Sequence, residues 1–382
     1  MANGKRVLIL SASAGAGHVR AAEALVAAFA QHPTILAPGG GVEHWDMLKY
    51  TSKTFRYIYS KLYLDLVNKA PSVLGYAYKW TDHPWKQNRG RMAFEKFNAR
   101  PFLKALTDYQ PNVIVCTHFT PPFLVSWLYE QGKLKVRPAV VLTDLDIHAM
   151  WLARHYEHYF VAIEESRVYL EKVGISPGRI TVSGVPVDTP FTVEKDQATA
   201  RRELAELGVD PRRFTVLVSA GGFGVGPIAA MIGELLTMRV PAQVIAIAGK
   251  SESLKTKLDN LAKESATGLV KLIPVGFTKQ MDLFMAAADI LLSKPGGLTV
   301  SEAMARGLPM CIANPIPGQE ERNSDHLLEA GVAIKCNNLL TLGYKLEQLV
   351  QTPGRLEAMR TRAKAFGKPH AAETVVNTLL GS

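Results

Sequence analysis

The stretch Ser293–Gly307 constrains the fold of this chain more than any other. The apolar run Ile290-Leu291-Leu292 just before it has the character of a buried strand. Pro295-Gly296-Gly297 then calls for a tight turn, because glycine takes backbone angles that other residues avoid. Val300 and Met304 keep a helical spacing up to Gly307, a good stop residue, and Thr299 or Ser301 can cap the start. A strand, a glycine turn and a helix tip in this order belong to an α/β sheet. The open N–H groups and the dipole of the helix tip aim at one spot and favour an anion there. The same geometry also suits an ordinary βα connection without a ligand.

The next segment favours the ligand. Met310–Ala313 is a second short apolar strand, followed by the polar loop Asn314–Asn323 running into a helix. Two consecutive strand ends thus carry an anion cradle and then carboxamide and carboxylate groups. Open parallel sheets bind ligands at the carboxyl ends of their strands. A diphosphate on the first loop would leave Gln319 and Glu320 near an attached group rich in hydroxyls, as in a nucleotide-sugar.

A chain of 382 residues exceeds the usual size of one core, so two domains are expected. The pattern restarts midway. Val7–Leu10 is a strand followed by the small-residue loop Ser11–His18 and a helix, with Ala22, Leu25, Val26 and Phe29 on one face. Thr215–Val218 is a strand followed by the glycine loop Gly221–Gly226, which suits phosphate. The first loop is neither a P-loop, since no Lys-Ser/Thr pair follows its glycines, nor a dinucleotide fingerprint, since Arg20 stands where a third glycine is needed. His18 instead opens the helix, where the dipole favours neutral imidazole, a candidate general base. It can equally cap a neighbouring loop. The strands Pro111–Cys116 and Ala139–Leu142 end in Thr117-His118 and in Thr143-Asp144, with His148 and Trp151 close behind. These polar clusters should share the sheet edge that carries His18. The domain join is placed near Phe191: residues 1–190 form one domain, 191–360 the second, and 361–382 a helical tail.

Net charge of +10 points to anionic partners, namely nucleotide phosphates, nucleic acid or acidic lipid headgroups, and no nucleic-acid module is visible. Tyr50–Lys104 carries eleven Lys/Arg against three Asp/Glu, interleaved with twelve aromatics. Rings beside cations suit a membrane interface or a nucleic-acid surface, or else a helical insertion with its aromatics in the core. No apolar run is long enough to span a bilayer, and Met1–Lys5 leads into a strand without a secretory signal. The three cysteines lack metal-ligand spacing and are expected to be buried thiols.

Lys294–Gly307 with Asn314–Asn323 resembles the donor half of GT-B glycosyltransferases. The match is closest to family 28, which includes the peptidoglycan-precursor N-acetylglucosaminyltransferase and the diacylglycerol glycosyltransferases. Gly15-x-Gly17-His18-x-Arg20-Ala21-Ala22-Glu23-Ala24-Leu25 resembles the N-terminal signature of the monogalactosyldiacylglycerol synthase branch, with Ala16 replacing the middle of three glycines. Thr143-Asp144 followed by His148 and Trp151 looks like the same branch.

The resemblance implies a GT-B fold, two Rossmann-like doubly wound α/β domains facing across a cleft, with the last helix returning to the first domain. It implies inverting transfer of glucose or galactose from a UDP-sugar to diacylglycerol, at the inner face of the cell membrane, with an anionic lipid surface as partner rather than nucleic acid. His18 is implied as the base, with Asp144 second. Gly17, His118, His148 and Trp151 are implied on the acceptor side. On the donor side stand Gly221, Gly222, Gly224, Lys294, Pro295, Gly296, Gly297, Thr299 and Asn323, with Phe277 at the uracil, Glu302 at the ribose, and Gln319 and Glu320 at the sugar. No cofactor is expected beyond the UDP-sugar co-substrate. The lone Asp-x-Asp, Asp144-Leu145-Asp146, lies in the acceptor domain, so the diphosphate is assigned to the helix tip and glycine loops without a metal. Rival readings are the same fold acting on a lipid-linked peptidoglycan precursor, a UDP-sugar 2-epimerase, and an inactive GT-B protein that binds membrane or nucleic acid.

Overall fold

In the computed structural model, residues 4–59, 66, 70–86, 89–219 and 227–381 are described. The chain divides into two compact units: residues 1–189 with 317–319 and 368–382, and residues 190–316 with 320–367. Each unit holds one six-stranded sheet, and every pairing in both sheets is parallel. Strands covered on both faces must be apolar throughout rather than alternating, which is why short runs such as Val7–Leu10 carried the pattern.

The first sheet comprises β1 (Arg6–Ser11), β2 (Gly41–Asp46), β3 (Val113–Cys116), β4 (Pro138–Val141), β5 (His158–Val161) and β6 (Ile180–Val182), in the order β2-β1-β3-β4-β5-β6. The direction of winding reverses between β1 and β3. One face packs against the helix Ala16–Phe29 and the C-terminal helix Ala371–Leu380, with Val7, Ile9, Leu25, Phe29, Val375 and Val376 in one buried cluster. Burying each such valine contributes roughly 1.5–3 kcal/mol.

The second sheet comprises β7 (Phe214–Ser219), β8 (Ala242–Ile247), β9 (Val270–Val275), β10 (Ile290–Ser293), β11 (Met310–Ala313) and β12 (Ala333–Cys336), in the order β12-β11-β10-β7-β8-β9. Here the reversal falls between β7 and β10. The two halves echo each other in opening with strand, small-residue loop and helix, yet they wind in different orders.

Two strands carried no sequence signal. β2 and β12 are edge strands, half-exposed and bearing Glu43, His44 and Lys335, so neither forms an apolar run. The helix start after β10 also differs from expectation. The helix begins at Gly297 with Gly296 as its cap and no capping side chain, so Thr299 and Ser301 lie inside it. Ser301 turns back to donate to the carbonyl of Gly297 at 2.8 Å. Gly307 ends the helix with φ of 61°, as a stop residue should.

Tyr50–Lys104 splits between core and surface. Phe55 and Phe102 are fully buried, whereas Tyr76, Trp80 and Phe97 are exposed by 77%, 66% and 63%. All three cysteines are buried and free. Among the described residues, no helix is long and apolar enough to cross a membrane.

Candidate active site

In the first unit the reversal of winding lies between β1 and β3, which opens a crevice at the carboxyl ends of these strands. The loop after β1 leads into the helix that bears His18, and the end of β3 leads into Thr117 and His118. The His18 Nδ1 lies 3.0 Å from the carbonyl oxygen of Thr117 and 2.8 Å from the hydroxyl of Thr143, which follows β4. A carbonyl only accepts, so Nδ1 carries the proton and Nε2 is left with its lone pair. The Thr117 hydroxyl donates in return to the backbone carbonyl of His18 at 2.8 Å, fixing ring and backbone together.

Burial lowers the pKa of His18 to about 4, and the hydrogen bond to Thr117 opposes that shift only in part. The imidazole is therefore neutral, as a helix-start histidine was expected to be, but the main cause is desolvation rather than the dipole. Gly15 runs along the free edge of the ring: a Cβ there would sit 3.5 Å from His18 Cδ2 and 3.9 Å from Nε2.

The other acceptor-side residues fall around this ring. His118 is buried and meets His18 edge-on at 4.7 Å. Burial first, then His18 and Arg91, hold its pKa well below the usual range. The Trp151 ring lies 6.4 Å from His18, and Gly17 precedes it in the helix. Asp144 is buried at the end of β4, beside Thr143. His148 is buried too, but both of its ring nitrogens engage backbone groups: Nδ1 accepts from Met150 N–H at 3.1 Å and Nε2 donates to the carbonyl of Tyr78 at 2.9 Å. Thr117, Thr143 and Gly15 were not singled out as site residues. The available signal was their position at strand ends or in the glycine loop, but only the topology brings 117 and 143 onto one imidazole.

In the second unit the reversal lies between β7 and β10, and the uncapped helix tip at Gly296–Gly297 sits at the end of β10. The helix starts without a capping side chain, which suits an anion. Asn323, fully buried, donates to the carbonyl of Pro295 at 3.0 Å and holds the turn in shape. Glu320 accepts from Ile316 N–H at 2.7 Å, and its other oxygen lies 4.0 Å from Lys294 Nζ. Burial raises the pKa of Glu320, against the opposing pull of Lys294 and of the Ile316 amide. Glu302 is buried in the second turn of the helix and Thr299 is half-buried in the first. Gln319, which belongs to the first unit, and Glu320, which belongs to the second, open the helix Gln319–Glu329. Phe277 follows β9 and is exposed by 58%, with Lys250 Nζ 5.2 Å above its ring. Gly221, Gly222 and Gly224 lie outside the described residues.

The family model for monogalactosyldiacylglycerol (MGDG) synthase matches residues 18–187, and that for glycosyl transferases group 1 matches residues 232–366. A processive diacylglycerol beta-glucosyltransferase of Staphylococcus aureus strain MRSA252 is 31% identical over 332 residues, 86% of this chain and 80% of that protein. The same enzyme of strain Newman is 30% identical over the same share of each chain. Among solved structures, Acinetobacter baumannii MurG superposes with a TM-score of 0.63 at 14% identity, covering 98% of both chains. The UDP-GlcNAc 2-epimerase of Neisseria meningitidis follows with 0.59 at 16%, covering 99% of this chain and 100% of that one. These two show the GT-B fold alone. At 31% identity over 86% of its length, the chain belongs to the monogalactosyldiacylglycerol synthase and processive diacylglycerol glucosyltransferase family of glycosyltransferases.

Proposed function

We propose that this glycosyltransferase moves a hexose from a UDP-sugar to the free hydroxyl of diacylglycerol, with inversion at the anomeric carbon, and that His18 is its base. A lipid hydroxyl is a poor nucleophile at neutral pH and needs a positioned proton acceptor. His18 Nε2 takes the hydroxyl proton while the hydroxyl oxygen bonds to the anomeric carbon. The bond from that carbon to the diphosphate breaks on the opposite face, and UDP leaves with the electron pair. The single observation that carries the reading is the orientation of His18: Nδ1 faces the Thr117 carbonyl, so Nε2 keeps its lone pair, on the edge of the ring that Gly15 lines. Asp144, buried one residue beyond Thr143, is the second candidate for a proton-sharing role.

On the donor side, the helix tip at Gly296–Gly297 and Lys294 stabilise the charge that grows on the leaving diphosphate. Thr299 and Pro295 belong to the same cradle, which Asn323 keeps in shape. Glu302 takes the ribose hydroxyls, Phe277 the uracil, and Gln319 with Glu320 the hexose. His118 and Trp151 wall the acceptor side, with Gly17 below. The exposed aromatics and cations of residues 50–104 rest on an anionic lipid surface, which places the enzyme peripherally on the inner face of the cell membrane. Tyr76, Trp80 and Phe97 support this contact by their exposure.

The test is purified enzyme with UDP-glucose and UDP-galactose in turn, with and without diacylglycerol vesicles, and mass analysis of the lipid. UDP release that requires the vesicles, with a hexosyl-diacylglycerol product, is the expected result. Release at the same rate without lipid would move the reading to an epimerase or hydrolase, and the donor giving product identifies the hexose.

A further inference from the structure

The helix Pro71–Thr81 has two unlike faces. Val73, Tyr76 and Trp80, spaced i, i+3 and i+7, are its exposed apolar side, whereas Gly75, Tyr78 and the capping Asp82, with the same spacing two positions further on, turn inward. Polar contacts of its last turn reach the loop 148–150. His148 Nε2 donates to the Tyr78 carbonyl at 2.9 Å, and the Tyr78 ring packs on the imidazole with centroids 4.3 Å apart. Asp82 Oδ1 accepts from Ala149 N–H at 2.9 Å and lies 3.9 Å from His148 Nε2. On its other side the imidazole caps the single turn Ala149–Trp151, with Nδ1 accepting from Met150 N–H at 3.1 Å. Trp151, the last residue of that turn, stands beside His18.

We infer that His148 is a positioning residue, a latch that registers the helix Pro71–Thr81 against the turn bearing Trp151, and through it against the base. The inference rests on the lipid-acceptor reading above for its functional meaning, and changes the part His148 plays in it. Both ring nitrogens already serve the backbone, so the ring acts through the elements it joins rather than on the acceptor itself. A neutral imidazole protonated at Nε2 is the one form that satisfies both partners, since the carbonyl needs a donor and the amide an acceptor. Loosening this joint lets the helix whose outer face is assigned to lipid drift relative to the wall of the acceptor site. Productive alignment then suffers, while donor binding and membrane attachment persist.

The experiment uses the full-length enzyme and His148→Asn, whose short amide can still cap Met150 N–H but does not reach the Tyr78 carbonyl. Amide hydrogen exchange across residues 71–81 should quicken by about tenfold with the sheet strands unchanged. UDP affinity and sedimentation with anionic vesicles should stay at the wild-type level, while kcat on diacylglycerol vesicles falls about tenfold. Asp82→Asn loosens the same joint, so the double variant should lose clearly less than the product of the two single losses. Unchanged exchange in 71–81, or losses that multiply in full, overturns the latch and returns His148 to direct acceptor contact. The exchange arm needs no turnover: absence of lipid-dependent activity in the wild type would sink the functional reading, while exchange would still decide on the joint.

Discussion

The two candidate sites sit at equivalent places, the reversal of winding in each sheet, but they are built by opposite means. The second unit builds the core of its candidate site, the anion cradle, from one contiguous run, Lys294 to Glu302, at a helix tip without a capping side chain. The first unit makes its site from side chains brought together over distance: the groups that hold His18 come from 99 and 125 residues further along the chain. On the proposed function, the difference follows from what each would bind. A diphosphate is a fixed, highly charged shape that a bare helix tip suits in any protein. A base needs one nitrogen aimed and the other committed, which takes partners from several strand ends.

This contrast sets up three experiments, in decreasing order of effect. His18→Ala should lower turnover by about 10²–10⁴-fold, the usual worth of a positioned base, and leave UDP affinity intact by isothermal titration. A near wild-type rate would remove His18 from the chemistry and move attention to Asp144. Glu302→Ala should do the reverse, weakening UDP binding by roughly 10–100-fold through loss of about 1.5–3 kcal/mol of charge-assisted hydrogen bonding. Unchanged affinity would mean that the nucleotide lies elsewhere than along the helix at Gly297. If each variant damaged both functions equally, the division of labour between the units would itself be wrong.

The smallest effect is expected with pH. A histidine whose folded pKa is lowered from 6.5 to about 4 is already unprotonated, and so competent as a base, throughout pH 5–8. The acid limb of kcat/KM should therefore lie near pH 4. Stability linked to this ring runs in the same direction: it is fully present above about pH 6.5 and is lost as pH falls toward 4, because the unfolded chain takes up the proton first. An acid limb centred near 6.5 would show either a solvated His18 or another group as the base.

The same contrast explains what was legible in the sequence. The donor turn could be read because its parts are neighbours in the chain, and the α/β class followed from apolar runs that parallel sheets require, whereas the GT-B fold came from the family resemblance. The clamp of Thr117 and Thr143 on His18 could not be read, because two threonines at strand ends carry no signal until β3 is placed beside β1 and β4 beside β3. The edge strands β2 and β12 escaped for lack of burial on both faces. His148 showed a further limit: a motif names a residue that matters, but only its two hydrogen bonds show that the ring joins one segment to another.

The packing of Ala371–Leu380 onto the first sheet has a temporal consequence. While the chain emerges from the ribosome, β1 and the helix after it have one flank uncovered until residues 371–380 appear. The second unit can close on itself earlier. The half made first is thus the half finished last, and a nascent chain that stalls before residue 371 carries the imidazole on a sheet that still lacks part of its hydrophobic cover.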